Sequence, residues 1–503
     1  MKKIIKTIAV STVILSLFAS CATTSNTEKA AAEKPAKAEK TAKADKSQKS
    51  EKSAKENKSK TKKMKFDQAA YDEAFAKRDY QTCIAMLNGK NDSANLIKDN
   101  LDADMLMYVT EDYQAAGKGF LDTYGQMQQV SSEMKAGDVM KAALVSENSV
   151  VYSGAEYERY LAWSMRLASA LNTNQTDVAN GIMKDYIGTF MDEIQELRAK
   201  NKEMEQSSGE LLESEDFKKA EKALQLANVD LGIASLIASV PKKSTEDYDY
   251  SPFFSYLGTV AYAVNDDFDH AKDFASTYKV NENLVNEVVS VPAGKGRLEV
   301  VALSGTIGKR SDASEGKIKE VPMVLSPKPM KTKIAYPEFK PQTHAIKLVR
   351  ITLSDGSSKG ATMIEDFDKA VQIDVAQKAR GAAQRSVFRN VVKNSASVAA
   401  IVAANEGLKK ADANPMLKKT AEVAFNKAVD EATIAVVNTE KADIRQGEYF
   451  PNMASSAGFS VAPGTYSVKI EYMDGTSVVE TKTIDNVVVK EGKVSVAVSS
   501  CEK

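Results

Sequence analysis

The stretch AGKGRLEVVALSGTIGKR, residues 293–310, combines glycines with basic residues and can be read as a phosphate-cradling loop or as a strand between turns. A phosphate loop needs its glycines after a strand and at the start of a helix, because the free N–H groups of a helix N-terminus hold the anion. Here Gly294 and Gly296 come before a strand-like run in which Leu298, Val300 and Ala302 alternate with their neighbours. Gly308-Lys309 is followed by Arg310 rather than Ser or Thr, so the hydroxyl that would meet magnesium is missing. The glycines read as the two ends of a hairpin strand. The stretch marks where a helical chain turns into a strand-rich one.

Upstream, from Phe66 to about Ser290, apolar residues recur at spacings of three and four. Asp79-Tyr80-x-x-Cys83 and Asp112-Tyr113-x-x-Ala116 lie 33 residues apart, and Asp267-Phe268-x-x-Ala271 follows a helix-like run holding Tyr256, Leu257 and Gly258. That spacing is close to the period of tetratricopeptide repeats, in which an aromatic closes each inter-helix turn and a small residue lets the helices approach. The expectation is a divergent helical-hairpin array over 66–290, with a plain helical bundle as the alternative.

Downstream, VPMVL, TKIAYPEF and AIKLVRITL are strand-like up to about 363, helical pattern returns over 364–441, and 442–503 closes with three more strand-like runs. The expected fold is α+β and multidomain. An N-terminal tetratricopeptide-like array is followed by a β-sandwich-like domain, 291–363 plus 442–503, interrupted by an inserted helical pair. The sandwich is expected to fold by itself.

The first residues, MKKIIKTIAVSTVILSLFASC, have a charged start, an apolar run and small residues ending at Cys21. This describes a secretory signal over 1–20, and Ala19-Ser20-Cys21 resembles the lipobox of bacterial lipoproteins. The resemblance implies a lipidated Cys21 at the mature N-terminus, anchoring the chain to the periplasmic face of an outer membrane or to the cell surface. Residues 21–65 are a Lys/Ala/Ser/Glu-rich tether without an apolar stripe to bury. Residues 22–65 hold 14 of the chain's 68 Lys and Arg but only 6 of its 68 acids. With three further lysines in the signal, the remainder carries 51 bases against 62 acids. A zero net charge thus hides a basic stalk on an acidic body. Such a body argues against nucleic acid, whose phosphates need clustered cations. The stalk is either a solvated spacer or a contact for anionic lipid or cell-wall polymer.

The order of GKGRLEVV, IAYPEF, a helical segment, then Ala442-Asp443-Ile444-Arg445, Tyr449-Phe450-Pro451 and APGTYSVKI resembles an uncharacterised family of bacterial lipoproteins with tetratricopeptide-like N-terminal helices. The small-Asp-x-Arg motif matches that family, while the Trp that follows it there is absent here. The resemblance implies architecture and address, and no activity. Asp443 and Arg445, with Tyr449 close behind, are either a recognition patch or an ion pair locking the helical insert to the strands.

Two histidines, His270 and His344, lack metal-ligand spacing and lie in different segments, which speaks against zinc hydrolysis and histidine-activated nucleophiles. The acid clusters Glu246/Asp247/Asp249 and Glu365/Asp366/Asp368 lack an EF-hand pattern. No catalytic residue, cofactor or metal is expected. Function reads as a non-catalytic scaffold or regulator of envelope assembly with a protein partner. The alternative is a glycan-binding lipoprotein, disfavoured because the single Trp163 falls in the helical part.

Overall fold

Turns of one shape set the helical half. Asp79, Asp112 and Asp267 each cap a helix, their carboxylates accepting the backbone N–H of Thr82, Ala115 and His270. The residues before them, Arg78, Glu111 and Asp266, are left-handed, with φ of 58°, 65° and 64°. Each capping Asp also returns its N–H to the preceding helix, at Ala74, Met107 and Tyr262. A Schellman ending is therefore fused to the next N-cap. The small residues Cys83, Ala116 and Ala271, four positions after each Asp, are fully buried. At Gly258 an added Cβ would lie 2.6 Å from the Phe274 ring and 2.7 Å from Met183 Cε, so only glycine allows that helix crossing.

The computed structural model describes residues 64–503 except 91, 325–327 and 412–414. Thirteen α-helices precede the first strand among the described residues. They are α1 (Gln68–Ala76), α2 (Tyr80–Leu87), α3 (Leu96–Val109), α4 (Tyr113–Glu133), α5 (Ala136–Leu144), α6 (Glu156–Asn172) and α7 (Thr176–Asp185). After a π-helical turn at Tyr186–Phe190 come α8 (Met191–Leu211), α9 (Glu215–Leu226), α10 (Ile233–Ala238), α11 (Pro252–Val264), α12 (Phe268–Thr277) and α13 (Glu282–Val285).

Among the described residues, strands follow in two four-stranded sheets and two short pairs. The first sheet has β12 (Val494–Cys501) parallel to β1 (Gly296–Ser304), with β9 (Met453–Val461) and β8 (Thr362–Asp366) antiparallel beyond it. The second, antiparallel throughout, runs β11 (Val478–Val489), β10 (Gly464–Met473), β6 (Leu348–Leu353) and β7 (Ser358–Gly360). The small pairs are β2 (Lys309–Asp312) with β5 (Pro337–Lys340), and β3 (Lys319–Val321) with β4 (Met330–Thr332). The fold is mixed α+β. Between β8 and β9, neighbours in one sheet, the chain inserts α14 (Phe367–Ala411) and α15 (Pro415–Thr439).

The hairpin expected at 293–310 does not form. Gly294 and Gly305 bracket β1 in left-handed turns, but β1 pairs with β12 and β9, and β2 pairs with β5. The alternation read in the sequence covers only half of the strand's burial. Leu298, Val300 and Ala302 share a core with Ile351 on β6 and Ile470 on β10, which joins the two sheets. Val301 and Leu303, on the opposite face, sink among Leu257, Phe254 and Tyr160 of the helices. That same core takes in Val498 of β12 and Phe367 and Val371 of α14. Helices and sheets therefore share one core across residue 290, and the described residues fall into one compact unit.

The free edge of β12 is closed by one side chain. Asn172, at the end of α6, donates to the Val498 carbonyl and accepts the Val498 N–H, each at 2.9 Å. An exposed strand edge would otherwise offer those groups to another chain. Asn172→Leu leaves both backbone groups without their partner and is expected to lower stability by about 1–3 kcal/mol. Urea unfolding checks this, and an unchanged midpoint would show that solvent replaces the contact. Cys83 and Cys501 are both buried and free.

Candidate functional site

Residues 440–450, which carry the small-Asp-x-Arg motif, run as a strap between the helical and strand parts. Its sequence is polar because nearly every residue has a partner on a different element. Glu440 receives Arg389 Nε at 2.9 Å and Ser386 Oγ at 2.8 Å. Gln446 accepts the Arg310 N–H and donates to the Gly308 carbonyl. Gly447 N–H meets the buried Glu158 of α6 at 2.7 Å, and Glu448 N–H meets Asp102 of α3 at 2.6 Å. Phe450 stacks on Phe120 of α4 at 6.3 Å.

Asp443 and Arg445 form a two-pronged ion pair, with both N–H···O distances 2.8 Å. Arg445 also donates to the Ala94 carbonyl at 3.0 Å and lies over the Tyr152 ring. Burial alone would lower its pKa, but Asp443 outweighs that and raises it. The pair therefore ties the strap to the helical part. Tyr449 points elsewhere. Its hydroxyl meets that of Tyr71 at 2.8 Å and its ring stacks on Phe75 at 4.9 Å, both on α1. The structure thus joins Asp443 to Arg445 and separates Tyr449 from them.

Beside the strap lies a cavity of about 470 Å³, walled by α8, α14, the 243–249 segment, Arg310 and the Asp443–Arg445 pair. Sequence reasoning missed most of its chemistry, which comes from side chains far apart in the chain. Arg385 and Arg389, one helical turn apart on α14, both grip Glu147, at 2.8 Å and 3.0 Å. Burial pushes the Glu147 carboxyl up, yet Arg385 and then Arg389 prevail and hold it below the usual range. Arg310 pairs with Asp374 at 2.6 Å, and Lys378 reaches the same carboxylate at 2.8 Å. Arg198 pairs with Glu156 across the opposite wall. Lys393, behind the wall, is pushed down to about 8, chiefly by burial. The available signal was a cation inside the apolar run SVFRNVV, where helical spacing buries Arg389.

The remaining sequence candidates scatter. His270 is exposed and bonded to Asp267, while His344 Nε2 lies 2.9 Å from Asp368, whose other oxygen accepts the Gly308 N–H. Glu365 is buried and closes the start of α11, accepting Ser251 Oγ, Tyr248 Oη and the Phe253 N–H. Asp247 and Asp249 stand on the cavity rim. Among the described residues, no group of three or more His, Cys, Asp or Glu is placed to hold a metal ion. Trp163 is 5% exposed and packs between Tyr124 and Phe190, so it offers no sugar platform.

Three buried carboxyls give the fold a pH dependence. Burial raises Asp102 and Glu365 to about 7 and Asp104 to about 8. Below the ordinary carboxylate range both the folded and unfolded states hold these protons, and the contribution is fully present. Above that range the unfolded chain releases them while the folded one retains them, so stability falls until the folded pKa is passed. Each group contributes a slope of up to about 1.4 kcal/mol per pH unit. Urea midpoints should fall from pH 5 to pH 8, and Asp104→Asn should flatten the fall. A midpoint that rises across this window would contradict the assignment.

No family profile, curated protein or solved structure matches this chain.

Proposed function

We propose that this is a non-catalytic recognition protein of a bacterial cell envelope, anchored by lipid on Cys21 and carried on the 21–65 tether. We read the helical hairpins as a tetratricopeptide-like array and the two facing sheets as a sandwich. Cys21 and the tether up to residue 63 lie outside the described residues, and the address rests on sequence alone. Arrays of this kind usually bind partners along an open concave face. Here β1, β12 and the 440–450 strap pack against the helices.

The observation that carries the reading is the cavity. Its guanidiniums at Arg198, Arg310, Arg385 and Arg445 each already hold a carboxylate. General acid–base and nucleophilic chemistry need groups free to change partners, whereas a wall of locked ion pairs suits recognition. We take the occupant to be a polar segment of an envelope protein.

A photo-crosslinker at Asn201, on the cavity wall, is expected to capture one partner in cells, whereas the same group at the half-buried Lys482 of β11 captures none. Equal capture at both sites would remove the cavity from the reading. Cys21→Ala should leave an unlipidated precursor that no longer partitions into detergent, and capture at Asn201 should fall with it. An unmodified N-terminus elsewhere in the wild-type protein, read by mass spectrometry, would end the lipoprotein assignment.

A further inference from the structure

A second cavity, of about 370 Å³, shares no lining residue with the one beside the strap. It opens where β9 outruns its neighbour. β8 pairs with β9 only as far as Thr362 opposite Ser456, whereas β9 continues along β1 to Val461. Past Ser456, that side of β9 has no strand beside it among the described residues. Asn283 of α13, Asn286 and Glu287 just after it, and Lys359 and Thr362 wall the cavity there.

Arg297 of β1 lines the cavity and is only 5% exposed. Its Nε donates to Glu299 at 2.5 Å, and its Nη1 donates to Glu287 and, at 3.1 Å, to Ser460. Nη2 has no hydrogen-bond partner among the described residues. The guanidinium lies against Gly458, where a Cβ would stand 1.9 Å from Nη2 and 2.5 Å from Cζ, so any larger residue would have to displace it. Lys359, which is exposed, meets the same glycine and donates to its carbonyl at 2.6 Å. That bond uses one of the three ammonium hydrogens. The buried Glu299 is already engaged on both oxygens, by Arg297 Nε and by Tyr256 Oη at 2.5 Å.

We propose that this cavity binds a small carboxylate ligand. Two cations with unused donors meet at one glycine, and the neighbouring acids are turned to the other nitrogens of Arg297. Water accepts from Nη2 only weakly, whereas a carboxylate can place one oxygen on Nη2 and one on Lys359 Nζ with charge assistance on both bonds. Asn283, Asn286 and Thr362 each both donate and accept, which suits hydroxyls or amides on the rest of the ligand. The only apolar side chains in the lining are those of Leu284 and Ala457, so a purely apolar molecule gains little there. A free sugar acid and the C-terminus of a peptide share this chemistry.

The test is isothermal titration calorimetry on the mature full chain with Cys21→Ser, so that no lipid is attached. The probes are D-glucuronate against D-glucose, and N-acetyl-dialanine with a free against an amidated C-terminus. At least one of the two acids is expected to bind, about tenfold or more tighter than its neutral counterpart, and to weaken with salt. Which acid binds separates a free small molecule from a chain end. Lys359→Gln, at an exposed position, should weaken binding by about tenfold. Arg297→Lys keeps the charge but loses Nη2 and should weaken it at least as much. Circular dichroism and the urea midpoint confirm that each variant is folded, and the Lys359 result stands alone if Arg297→Lys is not. Every variant keeps the tether, so a Lys359→Gln protein that binds like the parent would overturn the proposal in favour of the tether lysines. Neutral probes that bind as tightly as the acids overturn it, and so does a parent that binds neither acid.

Discussion

Replacing Arg389 with methionine is expected to cost about 3–5 kcal/mol, enough to unfold a protein of ordinary stability. The side chain is 0% exposed and lies between two carboxylates, Glu440 (also 0% exposed) and Glu147. Methionine fills much of the space but removes the charge that both acids face. Glu147 keeps Arg385 and loses only one of its two guanidiniums. Glu440 is left with Ser386 and with Lys393 at 3.7 Å, a cation whose own proton is weakly held at about pH 8. An uncompensated buried carboxylate is the expensive outcome. Arg389→Met with Glu440→Gln should therefore recover a large part of the loss, because no unpaired carboxylate remains on that side. Urea unfolding of the two single variants and the double variant measures the coupling. A double variant as unstable as the sum of the singles would show that the ion pair is not what holds the strap.

Leu257→Asp is expected to cost about 3 kcal/mol or more, and to melt the strands along with the helices. Leu257 is fully buried in the core that also contains Val301, Leu303 and Val498. A carboxylate there has no cation to meet and would spoil the face on which β1 and β12 rest. The shared core argues against the expectation that the strand part folds by itself. A chain beginning at residue 291 would expose the helix-facing side of β1 together with Phe367 and Val371, and should be aggregated or lack fixed packing. In the whole protein, Trp163 fluorescence, which reports the helices, and the circular dichroism of all elements should change at the same urea concentration. Two separated transitions would restore independent domains.

How far the fold was legible depends on the range of the forces involved. The Asp–aromatic turns were readable because a cap, a left-handed residue and a buried small residue all sit within a few positions of each other. Strand and helix segments were readable from their apolar periods, including the helical pair inserted between β8 and β9. The failures were all failures of pairing. Gly294 and Gly305 signal the ends of a strand, but β1 closes on β12 and β9, from nearly 200 and 150 residues further on. Ala462-Pro463 passes the chain from one sheet to the other, since β9 and β10 belong to different sheets.

The site shows the same division. Asp443 and Arg445 were legible as a pair because residues two apart must stand close. Their partners Ala94 and Tyr152, and the nearby Glu147, Arg310, Asp374 and Arg385, have no local reason to be charged or to be near. The sequence by itself determined the tether's composition, the places where helices begin, and which strand faces are apolar, because these depend on neighbouring residues and on burial in general. Only the tertiary structure decided that helices and sheets share one core, and that a strap of eleven residues closes it beside a cavity lined with ion pairs. A charge becomes a buried partner only when the chain brings an opposite charge to it across hundreds of residues, and no local pattern encodes that meeting.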